Sequence, residues 1–293
     1  MNDPVVFSAH DNHITSLKFT PDGTCLVTAG MDRFIKIWNF PSLSAAQVLA
    51  GHEKSVNALA VDAEGGLLLS GSGDGTLRLW SLPQGRLLTV LTGHGNSISA
   101  VTLLPDGRQA ASAAYDGTVR LWSPKTYHQT AVLTGLAPKP AALAFSPDGR
   151  HLLGGSLTCQ ALLWQGDWSA PAARSLDGAI SWINVAWSPD SQRLAGVSAA
   201  GLLSVRCTKS LEEIFSLQLS VMGLYPLAFH PCKNLLAVAM DQQILLIDLA
   251  RQAPPLRLPA VMGMYTLEFS PTGRWLAAGA ADRRVRIWDL ETP

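Results

Sequence analysis

Three sets of side chains in the sequence have the composition of a hydrolytic triad. Each set combines an imidazole, a hydroxyl and a carboxylate, the groups that act as base, nucleophile and orienting acid in serine hydrolases. The sets are His52, Ser70 and Asp74; His94, Ser112 and Asp116; and His10, Thr28 and Asp32. Because one active site needs only one triad, three copies at a fixed spacing indicate a repeated structural element and not a catalytic centre.

Other signals for chemistry are weak. Residues 71–75 resemble part of a phosphate-binding loop, but they lack its Lys-Ser/Thr ending, and the pattern favours a tight hairpin turn. The remaining histidines are scattered along the chain, so no set of converging metal ligands is indicated. We therefore expect no cofactor, no bound metal and no catalytic residues.

Composition excludes several classes of protein. Charged residues are 15% of the 293 residues and the formal net charge is zero, so a strongly basic surface for nucleic acid or anionic lipid is not expected. The hydrophobic share of 47% is too high for a disordered chain, and no apolar run is long enough for a membrane-spanning helix. The first residues lack a secretory pattern and the four cysteines fit reduced thiols, so we expect a cytoplasmic protein.

A period of 42 residues organises the chain. Tryptophan recurs at this spacing at Trp38, Trp80, Trp122 and Trp164. Two further steps reach Arg206 and Asp248, where strand-like alternation persists without the indole, and a step of 40 reaches Trp288. Each unit contains four short apolar runs separated by Gly, Pro, Asp and Asn, which predicts strands joined by hairpins. A four-stranded unit of this length is typical of one β-propeller blade.

The repeats resemble those of the WD-repeat β-propeller family. The indole ending the third strand carries the resemblance, together with the histidine 28 residues before it in three units and the literal Trp-Asp pair at Trp288 and Asp289. The resemblance implies an all-β fold, in which seven four-stranded antiparallel blades form a single domain over residues 1–293. It also implies that the segment Val5–Ser8 closes the ring, as the outer strand of a last blade whose other strands end the chain.

In this family the triad-like sets, together with the indole, form structural tetrads across a blade. The resemblance therefore assigns a hydrogen-bonded network of indole, hydroxyl, imidazole and carboxylate to three blades. The tetrads are His10, Thr28, Asp32 and Trp38; His52, Ser70, Asp74 and Trp80; and His94, Ser112, Asp116 and Trp122. The other four units have lost most of these polar residues, which predicts apolar packing there, because a half-satisfied buried network is worse than none.

The resemblance and the weak catalytic signals favour a non-catalytic scaffold that binds a protein or peptide through its loop face and channel mouth. One alternative is a hydrolase-like propeller enzyme with a site over the central channel, but the predicted first strands carry few acidic or histidine residues. A second alternative is a nucleic-acid or lipid binder, which the neutral net charge disfavours. We expect a monomer on its own, with no nucleic-acid or membrane partner.

The resemblance also places particular residues at the rim of the face that carries the tetrad histidines. Units six and seven repeat a near-identical phrase, VMGLY and VMGMY, which predicts equivalent rim positions for their tyrosines. The partner-binding candidates are Met31, Tyr115, Ile183, Trp182, Tyr225 and Tyr265. The alternative for the two tyrosines is that they pack between neighbouring first strands and are bonded through their hydroxyls.

Overall fold

The fold is built from short antiparallel β-strands. The computed structural model describes residues 3–136, 139–157, 161–166, 168, 171–176, 182–220, 223–251 and 253–291. Within these ranges there are 28 strands and no helix, and the strands form seven sheets of four strands each. The first strands of neighbouring sheets contact one another all the way round, so the sheets are the blades of a closed ring. The predicted all-β, seven-bladed propeller is confirmed.

The blades are numbered by their first, innermost strands. These are β2 (Ile14–Phe19), β6 (Val56–Val61), β10 (Ile98–Leu103), β14 (Pro140–Phe145), β18 (Trp182–Trp187), β22 (Leu227–Phe229) and β26 (Met264–Phe269). The second strands are β3 (Cys25–Gly30), β7 (Leu67–Ser72), β11 (Ala110–Ala114), β15 (His151–Ser156), β19 (Arg193–Ser198), β23 (Leu235–Met240) and β27 (Trp275–Ala280).

The third and outer strands complete each blade. The third strands are β4 (Ile35–Asn39), β8 (Leu77–Ser81), β12 (Val119–Ser123), β16 (Ala161–Gln165), β20 (Leu202–Cys207), β24 (Gln243–Asp248) and β28 (Arg284–Asp289). The outer strands are β5 (Ser44–Leu49), β9 (Arg86–Leu91), β13 (His128–Leu133), β17 (Ala172–Ser175), β21 (Glu213–Gln218), β25 (Leu256–Pro259) and, in blade 7, β1 (Val5–Ser8). The part of the chain that the structure describes has no helix able to span a membrane.

Blade 7 joins strands from opposite ends of the sequence. Strand β1 pairs antiparallel with β28, so that Val5 lies opposite Ile287. The ring of Phe7 packs edge-on against Trp38 of blade 1, with 4.9 Å between the ring centroids. The pairing covers the edge that β28 would otherwise present to solvent. The N-terminal strand therefore closes the ring, as predicted.

The core lies between neighbouring blades. Among the described residues, the buried apolar side chains form seven clusters, one at each interface between adjacent blades. Second strands are covered on both faces, and β11, with the sequence AASAA, is buried throughout. Small residues let the sheets approach closely: a Cβ atom added to Gly71 would lie 2.6 Å from Ile98 of the next blade. This packing holds the first strands rigidly around the central channel.

Candidate functional site

The triad-like sets lie inside blades 1–3 as hydrogen-bonded networks. In blade 2, His52 Nδ1 lies 2.9 Å from the Asp74 carboxylate and Nε2 lies 2.9 Å from the Ser70 hydroxyl. The Trp80 indole donates to the same hydroxyl over 3.0 Å. Blades 1 and 3 repeat the arrangement with His10, Thr28, Asp32 and Trp38, and with His94, Ser112, Asp116 and Trp122.

These networks link the strands of a blade and leave no nucleophile accessible. With the Nδ1–H group of His52 donating to Asp74, Nε2 accepts the proton of the Ser70 hydroxyl. Ser70 is completely buried, so a substrate cannot reach its oxygen. The hydroxyl-bearing residues of the other two networks, Thr28 and Ser112, are also completely buried. The geometry therefore supports a structural role for all three sets.

The networks of blades 2 and 3 pair an ionised carboxylate with a neutral imidazole. Burial alone would raise the pKa of Asp74, but hydrogen bonds from Thr76, His52 and the Glu53 amide outweigh it and lower the pKa to about 2. Burial lowers the pKa of His52 below 6.5 and outweighs the opposing effect of Asp74. At neutral pH the uncharged imidazole of His52 therefore donates its Nδ1–H group to the ionised carboxylate of Asp74.

In blade 5, an indole occupies the place of the network. Gly196 stands where blades 1–3 have a hydroxyl, and a Cβ atom there would lie 2.0 Å from the Trp182 ring. Trp182 is only 1% exposed, and its Nε1 has no hydrogen-bond partner among the described residues. The prediction that Trp182 lies at the rim is therefore corrected. Gly196 leaves space that the indole fills, so Trp182 lies in the core.

A central channel passes between the first strands of all seven blades. Its volume is about 1170 Å³. Among the described residues that line it, the charged ones are Lys18, Asp62 and Glu268. Lys18 and Glu268 form an ion pair across the interface of blades 1 and 7, and Asp62 accepts the Leu67 amide over 2.8 Å. The described wall does not bring a nucleophile together with a free base, and no described group of His, Cys, Asp and Glu could hold a metal ion.

A β-bulge near the start of the first strands directs one residue of most blades to the channel mouth. In blades 1–5 and 7, the pairing of the first and second strands shifts by one residue at this point. Bulges re-aim side chains. The bulged residues, all of which line the channel mouth, are Thr15, Asn57, Ser99, Ala141, Ile183 and Tyr265.

The channel mouth is polar on one side and apolar on the other. Blades 1–3 contribute the bulged residues Thr15, Asn57 and Ser99. Four residues that run from blade 3 to the connection leading into blade 6 form what we call the apolar crescent, namely Tyr115, Leu157, Ile183 and Leu224. Three of them are well exposed: Tyr115 by 47%, and Leu157 and Leu224 by 44% each. Sequence reasoning did not single out Leu224 as a binding residue.

Tyr225 is a second candidate whose position needs correction. It is 1% exposed and packs in the cluster between blades 5 and 6, and its hydroxyl donates to the Ser220 carbonyl. The next residue, Pro226, has no N–H group for strand pairing, so β22 begins only at Leu227. Without the bulge, Tyr225 turns inward and Leu224 faces solvent instead.

The other four candidates reach the predicted face. Met31 and Tyr115 are exposed, and Ile183 and Tyr265 are half-buried at the channel mouth. The Tyr265 hydroxyl lies 3.3 Å from His13 Nδ1, with 5.7 Å between the ring centroids. The structure thus separates Tyr265 at the rim from Tyr225 in the core, although their sequence contexts are nearly identical.

Comparison with known proteins finds a matching family model, a curated relative and many similar solved structures. The WD40 family model, described as "WD domain, G-beta repeat", matches residues 3–39, 44–81, 85–123 and 260–289. Over 43 residues the chain is 49% identical to the uncharacterized WD repeat-containing protein L84 of Acanthamoeba polyphaga mimivirus. That match covers 15% of this chain and only 33% of the viral protein. The solved structure of U3-55K is similar over 98% of both chains, with a TM-score of 0.87 and 20% identity, which shows a shared fold.

Proposed function

Because this chain is a WD-repeat β-propeller, we propose that it is a non-catalytic scaffold that binds a protein or peptide partner on the face carrying the tetrad histidines. Proteins of this family typically mediate protein interactions, but a fold alone does not assign a function. The observation that carries the proposal is the apolar crescent. Contiguous exposed apolar side chains beside polar ones are typical of interaction sites.

The crescent has the properties of a binding surface on a rigid support. Ile183 sits on the bulge of β18, which is held between packed blades. Across the channel, the Asn57 amide donates to the Ile98 carbonyl over 2.7 Å and the Ser99 hydroxyl donates to the Ala113 carbonyl over 3.1 Å, so the side-chain oxygens of these residues are what can accept hydrogen bonds from a partner's amides. Aromatic residues are enriched in interface cores, and Tyr115 supplies one. A partner would place apolar side chains on the crescent and hydrogen-bonding groups on the opposite side.

A hydrolase-like enzyme remains the alternative function. Its nucleophile would have to come from the tetrads or from the channel wall. The tetrad hydroxyls are completely buried, and the charged groups of the described wall are engaged with each other or with the backbone. These observations favour the scaffold.

The test is to introduce charge into the crescent. Leu157→Asp combined with Leu224→Asp should abolish capture of the partners that the unmodified protein recovers from a lysate, as identified by mass spectrometry. Both side chains are exposed, so the variant should keep its melting temperature. The matched control is Leu87→Asp with Val132→Asp, which changes two exposed residues of outer strands. Recovery of the same partners by the crescent variant would rule out the crescent as the binding site.

A further inference from the structure

Two arginines occupy a backbone position that favours glycine. In blades 2 and 3, the residue after the tetrad aspartate is Gly75 or Gly117, each with a φ of +83°. In blades 1 and 7, the same turn position is Arg33, with a φ of +75°, and Arg283, with a φ of +70°. Glycine adopts this conformation without strain and arginine does not. Strain of this kind points to a role for the side chain.

The two turns lie side by side where the ring closes. The Arg283 carbonyl accepts the amides of Ala9 and His10 over 3.1 and 3.4 Å. His10 Nδ1 is in turn bonded to Asp32, the neighbour of Arg33 in the sequence. Arg283 and Arg33 therefore flank the same buried pair from two adjacent blades, and both side chains are exposed.

The positive charges at this interface exceed the exposed negative ones. Asp282 is paired with Arg286 over 2.6 Å, and Asp32 is paired with His10, so these acids are engaged. Neither Arg33 nor Arg283 forms a salt bridge with a residue of the described ranges. The exposed guanidiniums here are those of Arg33, Arg283 and Arg284, whereas the exposed carboxylates are Asp11 and the already paired Asp282.

Two exposed methionines border the arginines. Met31 is 38% exposed and Met262 is 64% exposed. The Met31 amide donates to the His13 carbonyl over 2.9 Å, and the Ala281 amide donates to the Gly263 carbonyl over 2.9 Å. These bonds place each methionine beside the turn that carries an arginine. Methionine side chains adapt their shape to apolar partners. We call this surface the seam patch: Met31, Arg33, Met262, Arg283 and Arg284.

We propose that the seam patch binds an acidic, extended segment of a protein partner. Its carboxylates pair with Arg33 and Arg283, because a guanidinium matches a carboxylate with two parallel hydrogen bonds. An apolar side chain of the segment packs on the methionines. The inference rests on the proposed function, since it assigns partner chemistry to another sector of the same face. A protein segment fits better than nucleic acid, because the patch is small and partly apolar and the chain has zero net charge.

The test exploits the strained turns. Arg33→Gly combined with Arg283→Gly removes both charges and relieves both turns, so this variant should melt at no lower temperature than the unmodified protein. The probe is a fluorescein-labelled peptide of alternating Glu and Leu, with binding followed by anisotropy. We expect the affinity of the variant for the peptide to be lower by a factor of about ten or more. The control, Arg108→Ala with Arg150→Ala, removes two exposed arginines from the opposite face and should bind normally.

Each outcome bears on the proposal. Binding that is lost in the glycine variant and kept in the control supports it. Absence of peptide binding by the unmodified protein, or equal binding by the glycine variant, overturns it. If a single-stranded oligonucleotide binds as tightly and is lost in the same variant, the patch is a nucleic-acid surface and the proposal is wrong. If the peptide does not bind through the seam patch, but partners are still captured through the apolar crescent, the proposed function stands and only the seam-patch proposal is wrong.

Discussion

The blade indoles differ in whether their N–H group has a hydrogen-bond partner. Trp80 donates to Ser70 over 3.0 Å, whereas Trp288 Nε1 has no partner among the described residues. Both side chains are nearly inaccessible, at 3% and 1% exposure. An unpaired buried donor costs about 1–3 kcal/mol. The two indoles therefore contribute unequally to stability, although they occupy equivalent strand positions.

Replacing each indole by phenylalanine measures this difference. Trp80→Phe removes a hydrogen bond and leaves the Ser70 oxygen without the N–H group that donates to it. Trp288→Phe removes an N–H group that is already unpaired. We predict that the first substitution lowers the free energy of unfolding by about 1–3 kcal/mol more than the second, measured by urea denaturation. Since both remove the same atoms, each variant is the control for the other, and equal losses would contradict the prediction.

The networks also predict how stability depends on pH. Burial lowers the pKa values of His52 and His94 below 6.5, so the unfolded chain takes up protons before the folded one does. Stability that is complete above pH 6.5 is therefore lost as the pH falls below it. Because the pKa values of Asp74 and Asp116 are lowered to about 2 in the folded state, further stability is lost as the pH falls from about 4 to about 2.

We predict that the urea concentration at the unfolding midpoint decreases as the pH is lowered from about 7.5 to about 5.5. His52→Gln combined with His94→Gln should weaken this dependence, even if it also lowers stability at every pH. It should not abolish the dependence, because burial also lowers the pKa of His230. His128→Gln, on an exposed position of an outer strand, is the control and should retain the full dependence. An identical pH slope in the double variant would mean that the network histidines do not titrate as described.

Sequence reasoning reached the tetrad residues but failed at Tyr225. The tetrads are visible because their residue types recur at a fixed period. The phrases VMGLY and VMGMY look equivalent, yet Pro226 follows one and Thr266 the other. Only the proline removes the amide that strand pairing needs, so Tyr225 is buried while Tyr265 lies on a bulge. That proline was the signal available in the sequence.

At the level of elements, the periodicity predicts strands even where the indole is lost. Arg206 lies in β20 and Asp248 in β24, each inside a complete blade. The bulges of the first strands could not be predicted, because alternation of apolar residues reports burial and not the hydrogen-bond register between two strands. The candidate site depends on those bulges, and for this reason its outline was predicted less well than the fold.

Strand β1 provides a prediction at this scale. A chain that starts at His10 lacks β1, so it exposes the edge of β28 and loses the contact between Phe7 and Trp38. We expect a lower melting temperature and concentration-dependent aggregation, since unpaired strand edges associate. Val5→Thr with Val6→Thr is the control, because it retains the strand and changes two exposed side chains. If the shortened chain melts at the original temperature, β1 contributes nothing to closure.

At the level of the whole molecule, the ring has two unlike halves. Blades 1–3 contain the polar networks and also the polar side of the channel mouth. In the described parts of blades 4–6 these networks are absent, and Leu157, Ile183 and Leu224 of the apolar crescent belong to these blades or to the connections leading into them. The seam patch lies at one boundary between the halves. A partner would therefore meet a polar, an apolar and a basic sector on one face.

The pairing of β1 with β28 also sets the order of events during synthesis. Strand β1 precedes blades 1–6 in the sequence and its partner β28 follows them, so all six blades must leave the ribosome before blade 7 can form. Contacts between residues so far apart in sequence form late, because the entropy of closing the intervening loop opposes them. Until then the nascent chain carries an unpaired apolar strand that chaperones can bind. Closure thus serves as a checkpoint: the ring is completed only after the six earlier blades have been made.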